Sequence, residues 1–416
     1  MQRLFFKRKV PTVFFYMLEK YTNVVFLALF TFLMAKIIST EDFGVISNAD
    51  AIIAIISIFS FQGLEQLVQR EIVNEQKDEP NIIGAALLFK IPGIILGLII
   101  AWIWSMWIDD SRLSACILIL SGLIIARSLT FFSSSFIAKD KYLIFTLIGI
   151  CTYVLFFFIK MFVLYYVPSL FYIAIVTVTE NLFLIVLYYI YGCDKVSFTN
   201  KLVKKYIKVF YYEGFYLILS GAMVVIYTKT DQLYIAKFMS YTILANYAIA
   251  LKFLMLYIVP SSIFTLSFVP KLNKNNKEYA KNVRVMLLGS LIFGVAFACI
   301  CAMTTPFLIE LMYGEKYNLA ESYIIGLSLV IPFCFILNST GRYFVNEGLG
   351  KIVFQRNLIA LLYNIIGGYF LIKYGGAWGG VVAIVSSYAI SALIVVFCGR
   401  KSRKVLLRAF IENENR

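Results

Sequence analysis

Apolar residues in this chain come in runs that are too long and too unbroken for a soluble fold. The pattern predicts twelve helices, near 13–37, 44–68, 81–108, 113–138, 142–166, 170–192, 209–237, 242–269, 283–306, 321–345, 352–373 and 378–398. Crossing a hydrocarbon core of ~30 Å takes about 20 helical residues, and each run supplies that length. Lipid offers no partner to an open backbone N–H or C=O, so a spanning segment is a helix or part of a closed barrel. The strict alternation of barrel strands is absent. The first run follows Met-Gln-Arg-Leu-Phe-Phe-Lys-Arg-Lys, which looks like the basic start of a signal peptide. The run is too long for one and no small-residue cleavage site follows, so it is read as a retained first span. The expected class is an all-α polytopic membrane protein.

Charge orients the spans. The 416 residues are 61% hydrophobic and 15% charged, with a net charge of +15. Soluble domains carry about 25% charged residues. With the N-terminus taken as cytoplasmic, 26 Lys and Arg fall in inner loops and tails, Arg356 among them. Only 5 fall in outer turns: Lys36, Arg112, Lys237, Lys316 and Lys373. This asymmetry predicts two cytoplasmic termini and accounts for the basic charge without nucleic acid. The longest basic inner segment, Cys193 to Lys208, divides the spans six and six. The expected organisation is a six-helix lobe over 1–195, a basic cytoplasmic linker over 196–208, a second six-helix lobe over 209–400 and a basic tail over 401–416. Two halves with an even number of spans enter the membrane in the same sense, related by a pseudo-two-fold along the membrane normal. A short internal repeat agrees: Ala35, Lys36 and Ser39 align with Ala236, Lys237 and Ser240.

Several chemistries are excluded by what the chain lacks. There is no histidine, so His-based acid–base work and His metal sites are out. The seven cysteines form no C-x-x-C pair and read as inert thiols. Gly348-Leu-Gly-Lys351 lacks the spacing of a nucleotide-binding loop, and no zinc motif or nucleophile elbow is present. With only short outer loops, neither an enzyme nor a bound cofactor is expected.

What remains is charge at membrane depth, which is costly and usually faces an interior or a water-filled cavity. Lys20, Arg127, Lys229 and Lys252 are the expected substrate-binding cations, and Asp50 and Asp231 the expected coupling or gating acids. At about 100° per residue, Lys229 and Asp231 point to nearly opposite sides of one helix. Lys90, Lys160, Glu65, Glu213 and Arg342 lie near span ends, where long side chains can reach the interface. The competing reading is an internal network of ion pairs holding the bundles together. Cations predominate at depth, which favours an electropositive interior and an anionic substrate such as a phosphate. Pro92, Pro260 and Pro332 should bend helix interiors. Gly93 and Gly97 should let two helices approach closely. Trp102, Trp104 and Trp107 should anchor the outer interface.

Five stretches carry a family resemblance. They are Lys36-Ile-Ile-Ser-Thr-Glu-Asp-Phe-Gly44, Gly63-Leu-Glu-Gln-Leu-Val-Gln-Arg-Glu71, Tyr227-Thr-Lys-Thr-Asp231, Leu311-Met-Tyr-Gly314 with Tyr317, and Tyr374-Gly-Gly-Ala-Trp-Gly379. In order and placement they resemble the polysaccharide-unit flippases (the Wzx type) of the superfamily that also holds the multidrug and toxic-compound exporters. Ala245 and Ile38-Ser39 stand where that family usually has Gly and Leu-Gly. The resemblance implies a MATE-like fold of two six-helix bundles around a central cavity that opens to either side in turn. It implies flipping of undecaprenyl-pyrophosphate-linked oligosaccharide across the bacterial inner membrane for O-antigen or capsule synthesis. Its implied partners are that lipid-linked oligosaccharide, membrane lipids and the glycan polymerase machinery, with no nucleic acid. A drug or cation antiporter of the same fold is the alternative, and it would want acids rather than cations at depth.

Overall fold

The computed structural model describes residues 2–61, 63–193, 196–198, 200–268, 272, 278–397, 402–404 and 406. Most of the expected 401–416 tail, together with Lys195, Lys271, Lys274 and Lys277, lies outside the described residues. The chain runs through α1 (Gln2–Ile37), α2 (Thr40–Ile56), α3 (Glu65–Asn74), α4 (Glu79–Met106), α5 (Ser111–Leu120), α6 (Gly122–Ser128), α7 (Ser133–Ala138), α8 (Tyr142–Tyr166) and α9 (Leu170–Gly192). It continues through α10 (Asn200–Phe238), α11 (Tyr241–Phe268), α12 (Tyr279–Tyr313), α13 (Asn318–Leu327), α14 (Val330–Asn346) and α15 (Gly350–Phe397). Among the described residues, nine stretches are long and apolar enough to cross a membrane, or ten if the bent pair Lys201–Phe215 and Ile218–Phe238 is one span. Two of the nine are far longer than one crossing: Tyr279–Leu327 has 49 residues and Gly350–Ile394 has 45.

The chain folds into two compact units, Met1–Val225 and Ile226–Arg416, so the division falls inside α10. In the first unit α1 packs along α8, and α9 packs on α8 and α5. Its core joins Val68 and Ile72 of α3, Ile82 and Ile83 of α4, Phe136 of α7 and Tyr188 of α9. Val203, Tyr206 and Phe210 of α10 belong to the same core. Residues 200–208, expected as linker, are therefore helical and docked. The backbone N–H of Ser197 donates to the Pro80 carbonyl at 3.0 Å. The Tyr206 hydroxyl donates to Asp78 at 2.8 Å.

The continuous helix expected over 44–68 is corrected. α2 stops at Ile56, a 3₁₀ turn covers Ser57–Ser60, and Phe61 and Gly63 take left-handed φ of 57° and 96° before α3 begins. At the break α4 comes close: Gly93 lies so near the Phe59 carbonyl that no Cβ would fit there. Ser57 and Ser60 donate their hydroxyls to the Ala54 and Ser57 carbonyls, at 2.7 and 2.5 Å, which satisfies acceptors left open by the break. The repeat noted around Ser39 and Ser240 has a physical meaning. Ser39 Oγ accepts the Asp42 N–H at 3.0 Å and Ser240 Oγ accepts the Ile243 N–H at 3.3 Å, so both serines cap the following helix.

In the second unit α12 packs on α14, α14 on α15, and α11 on α13. Pro92 and Pro260 lie inside α4 and α11 as expected. Pro332 does not bend a helix interior; it stands in the first turn of α14, where its missing N–H costs no helical bond. α15 is interrupted at Gly376, whose φ of 65° and ψ of −150° suit glycine alone.

Candidate functional site

The first unit answers most of its membrane-depth charges internally. Asp50 on α2 and Arg127 on α6 pair at 2.7 Å, each about 29% exposed. Thus one expected gate acid and one expected substrate cation hold each other. Lys20 on α1 lies 3.3 Å from Glu19 and remains 44% exposed. Buried Glu19 also accepts the Tyr153 hydroxyl at 2.8 Å, and that hydroxyl accepts from Asn23 at 3.0 Å. Both pairs lie inside the first unit, one within α1 and one between α2 and α6.

Two lysines expected to reach the interface are instead buried. Lys90 on α4 is fully enclosed; it donates to the Ser128 carbonyl at 2.7 Å and to Glu65 at 3.4 Å. Glu65 in turn accepts the Thr130 hydroxyl at 2.7 Å. Lys160 on α8 is paired with Glu180 on α9 and lies over the Phe30 ring. Both lysines sit between helices, where the carboxylate one helix away is nearer than water. Two arginines are more exposed. Arg112 reaches Glu41 at 2.6 Å and Asp42 at 3.3 Å, which ties down the acidic pair of the first turn. Arg70 bridges Glu71 and Glu213 at 2.7 and 2.6 Å.

The second unit is arranged differently. Asp231 on α10 is fully buried, and its oxygens are held by neutral donors: the Tyr247 hydroxyl of α11 and the Gln232 N–H at 2.9 Å. A fixed salt bridge to another helix is not its main contact. Lys229 is half-buried two residues earlier. Lys252 is half-buried on α11, five residues beyond Tyr247. The unit thus sets Lys229, Asp231 and Lys252 on two successive helices. Such an arrangement can attract a phosphate-type anion while a buried acid modulates the field.

Sequence reasoning missed two members of this unit. Tyr247 gave no signal in the pattern, because an aromatic in an apolar run reads as core. Arg356 was placed among the inner-loop cations, yet it is 5% exposed on α15. It donates to Thr340 Oγ1 at 2.9 Å and to the Leu337 carbonyl at 3.0 Å, in the space left by the missing side chain of Gly341. Its position after only one turn of apolar residues made it look like a loop residue. None of Cys116, Cys151, Cys193, Cys299, Cys301 and Cys334 is in a disulfide, and Cys398 lies outside the described residues.

Comparison with known proteins adds family and fold. The family profile described as polysaccharide biosynthesis protein matches residues 33–322. A Shigella dysenteriae protein provisionally named an O-antigen transporter is 25% identical over 130 residues, covering 31% of this chain. That match spans only 32% of the relative's own length. Among solved structures, the lipid II flippase MurJ in an inward closed conformation superposes with a TM-score of 0.70 at 16% identity, over 94% of this chain and 91% of that one. An inward-facing multidrug resistance MATE family transporter of the MOP superfamily gives 0.65 at 12% identity, over 95% and 96%. A eukaryotic MATE transporter gives 0.60 at 13%, over 97% and 99%. At these identities the likeness shows a shared fold.

Proposed function

We propose, from the premise that this chain belongs to the polysaccharide biosynthesis protein family, that it is a flippase moving undecaprenyl-pyrophosphate-linked oligosaccharide across the bacterial cytoplasmic membrane for O-antigen or capsule synthesis. The observation that carries the reading is the family match over residues 33–322, which runs from the first span into the second unit. The multi-pass apolar architecture and the MurJ- and MATE-like fold support a transporter rather than an enzyme. The half-buried Lys229 and Lys252 would engage the pyrophosphate as the protein alternates its access, and Lys20 and Arg127 remain candidate cations within the first unit. An antiporter of the same fold is favoured by the MATE likeness alone, which does not discriminate.

The test is direct. Purified protein in liposomes should move a fluorescent pyrophosphate-linked sugar lipid between leaflets. Export of a cationic dye against a proton gradient, with no lipid movement, would replace this reading by the antiporter.

Twelve spans fit the long stretches. A helix of 45 residues measures about 68 Å, more than twice a hydrocarbon core of ~30 Å. Gly350–Ile394 would cross twice by turning at Gly376, and α12 and α13–α14 would each cross once. With both termini cytoplasmic, reporter fusions should place residues 200 and 275 inside and residues 240 and 315 outside. An outer location for residue 200 would overturn the scheme.

Energy would come from gradients or from consumption of the product outside, because the sequence carries no nucleotide-binding loop. Moving a pyrophosphate of about two negative charges outward through ~100 mV, inside negative, releases roughly 4 to 5 kcal/mol. The empty cationic path must then reset. Asp231, held by Tyr247, is the residue we assign to time that step, with Asp50 as a second gate that opens by parting from Arg127. Asp231→Asn should alter the dependence of flipping on pH and on imposed potential. Flipping at the wild-type rate with both dependences unchanged would remove Asp231 from coupling.

A further inference from the structure

The first turns of α10 carry a face that neither the core nor the transport reading uses. Lys201, Lys204, Lys205 and Lys208 are all exposed there. One to two turns further on, Tyr211, Tyr212 and Phe215 are 60%, 73% and 52% exposed. At 3.6 residues per turn these seven side chains fall within about 120° of arc. Val203, Tyr206 and Phe210 lie on the opposite side and are buried in the first unit. The helix cannot roll to hide the face, because the core, the Tyr206–Asp78 bond and the Arg70–Glu213 pair fix its rotation.

A face of lysines alone would suit water. One that passes from four lysines to three large aromatics within about 20 Å along the helix suits the boundary of a bilayer. Tyr and Phe leave water into the headgroup and upper acyl region, and the ammonium groups a turn or two away then sit level with lipid phosphates. The run Lys201–Phe215 leads through a 49° bend into the apolar run Ile218–Phe238. Val196 and Phe198, just ahead of the helix, form part of an apolar groove of about 280 Å³ with Leu87, Ile185, Val186 and Tyr189.

We propose that this face of α10 is a binding surface for anionic lipid headgroups of the bilayer, seated on Lys204, Lys205 and Lys208 above Tyr211, Tyr212 and Phe215. It requires that the chain spans a membrane, and is independent of which substrate it moves. Its partner is a resident phospholipid of net negative charge.

The experiment places a reporter in the face. Tyr212→Trp protein is put into nanodiscs of phosphatidylcholine doped with brominated phosphatidylglycerol or, at equal mole fraction, brominated phosphatidylcholine. Bromine quenches tryptophan on contact, and the unsubstituted protein gives the background of the four native tryptophans. We expect stronger quenching by the anionic lipid, reflecting a local preference on the order of fivefold per lysine at low ionic strength, and falling with salt. Adding Lys204→Gln, Lys205→Gln and Lys208→Gln together should remove the preference while phosphatidylcholine still quenches. The corresponding arginine triple should keep it, which separates charge from misfolding. Equal quenching by the two lipids in the lysine protein overturns the proposal. So does a preference that survives the glutamine triple, or no quenching by either lipid. Inorganic pyrophosphate that displaces the lipid at constant ionic strength would assign the face to a soluble anion instead. Nanodiscs expose both leaflets, so a wrong orientation of the chain cannot mimic any of these results.

Discussion

Lys229→Gln and Lys252→Gln are each expected to abolish surface glycan while leaving the amount of protein in the membrane unchanged. A hydrogen bond to a charged group is worth about 1.5–3 kcal/mol, and loss of one such contact with a pyrophosphate slows flipping by roughly 10- to 100-fold. Both lysines are half-buried in apolar helices, Lys229 on α10 and Lys252 on α11, which is why the effect should concentrate there. Lys229→Arg and Lys252→Arg keep the charge but present a planar fork in place of a compact ammonium, so they should retain part of the activity. Glycan is read on gels and protein by immunoblot. Normal export by the glutamine variants would make both lysines structural or lipid-facing. Loss of the protein itself would place them in the ion-pair framework.

The largest stability effect is expected at Lys160. Its side chain is 7% exposed, and its partner Glu180 is 14% exposed. Lys160→Met removes the cation and leaves a carboxylate with little water, which costs roughly 3–5 kcal/mol. Lys160→Met combined with Glu180→Leu replaces the pair by apolar surface between α8 and α9 and should restore most of that loss. Thermal unfolding in detergent of the two single variants and the double one gives the coupling energy directly. A Lys160→Met protein as stable as the parent, to within about 1 kcal/mol, would show that the pair is hydrated or unimportant.

The contrast between the two units marks how far the sequence could be read. Helix positions were legible because apolar length is a local property. The run expected at 142–166 is α8 to the residue, and that at 170–192 is α9. The break in the second run was not legible; it lies where Gly93 of α4 meets the Phe59 carbonyl, a contact between distant segments. The charged residues at depth were also visible as a set. Their pairing was not, since pairing depends on how each helix is rotated and which neighbour it meets. Lys90 looked able to reach the interface by its distance from a span end, yet Glu65 and the Ser128 carbonyl enclose it. Asp231 stood out as an acid in an apolar run, while the tyrosine that holds it, sixteen residues on, looked like any other core aromatic.

The docking of α10 onto the first unit sets an order in time as well as in space. Val203, Tyr206, Phe210 and Ile218 complete a core whose other members end at Tyr188. A ribosome that has released α1 to α9 has therefore not yet released everything the first unit needs to close. The apolar faces of α3 and α4 must wait, in the company of lipid or the insertion machinery, until the next helix emerges. A gene divided near residue 195 would leave that core open in one fragment and an orphaned amphipathic helix in the other, whereas a cut in the turn at Ser240 would hand the first fragment its missing wall.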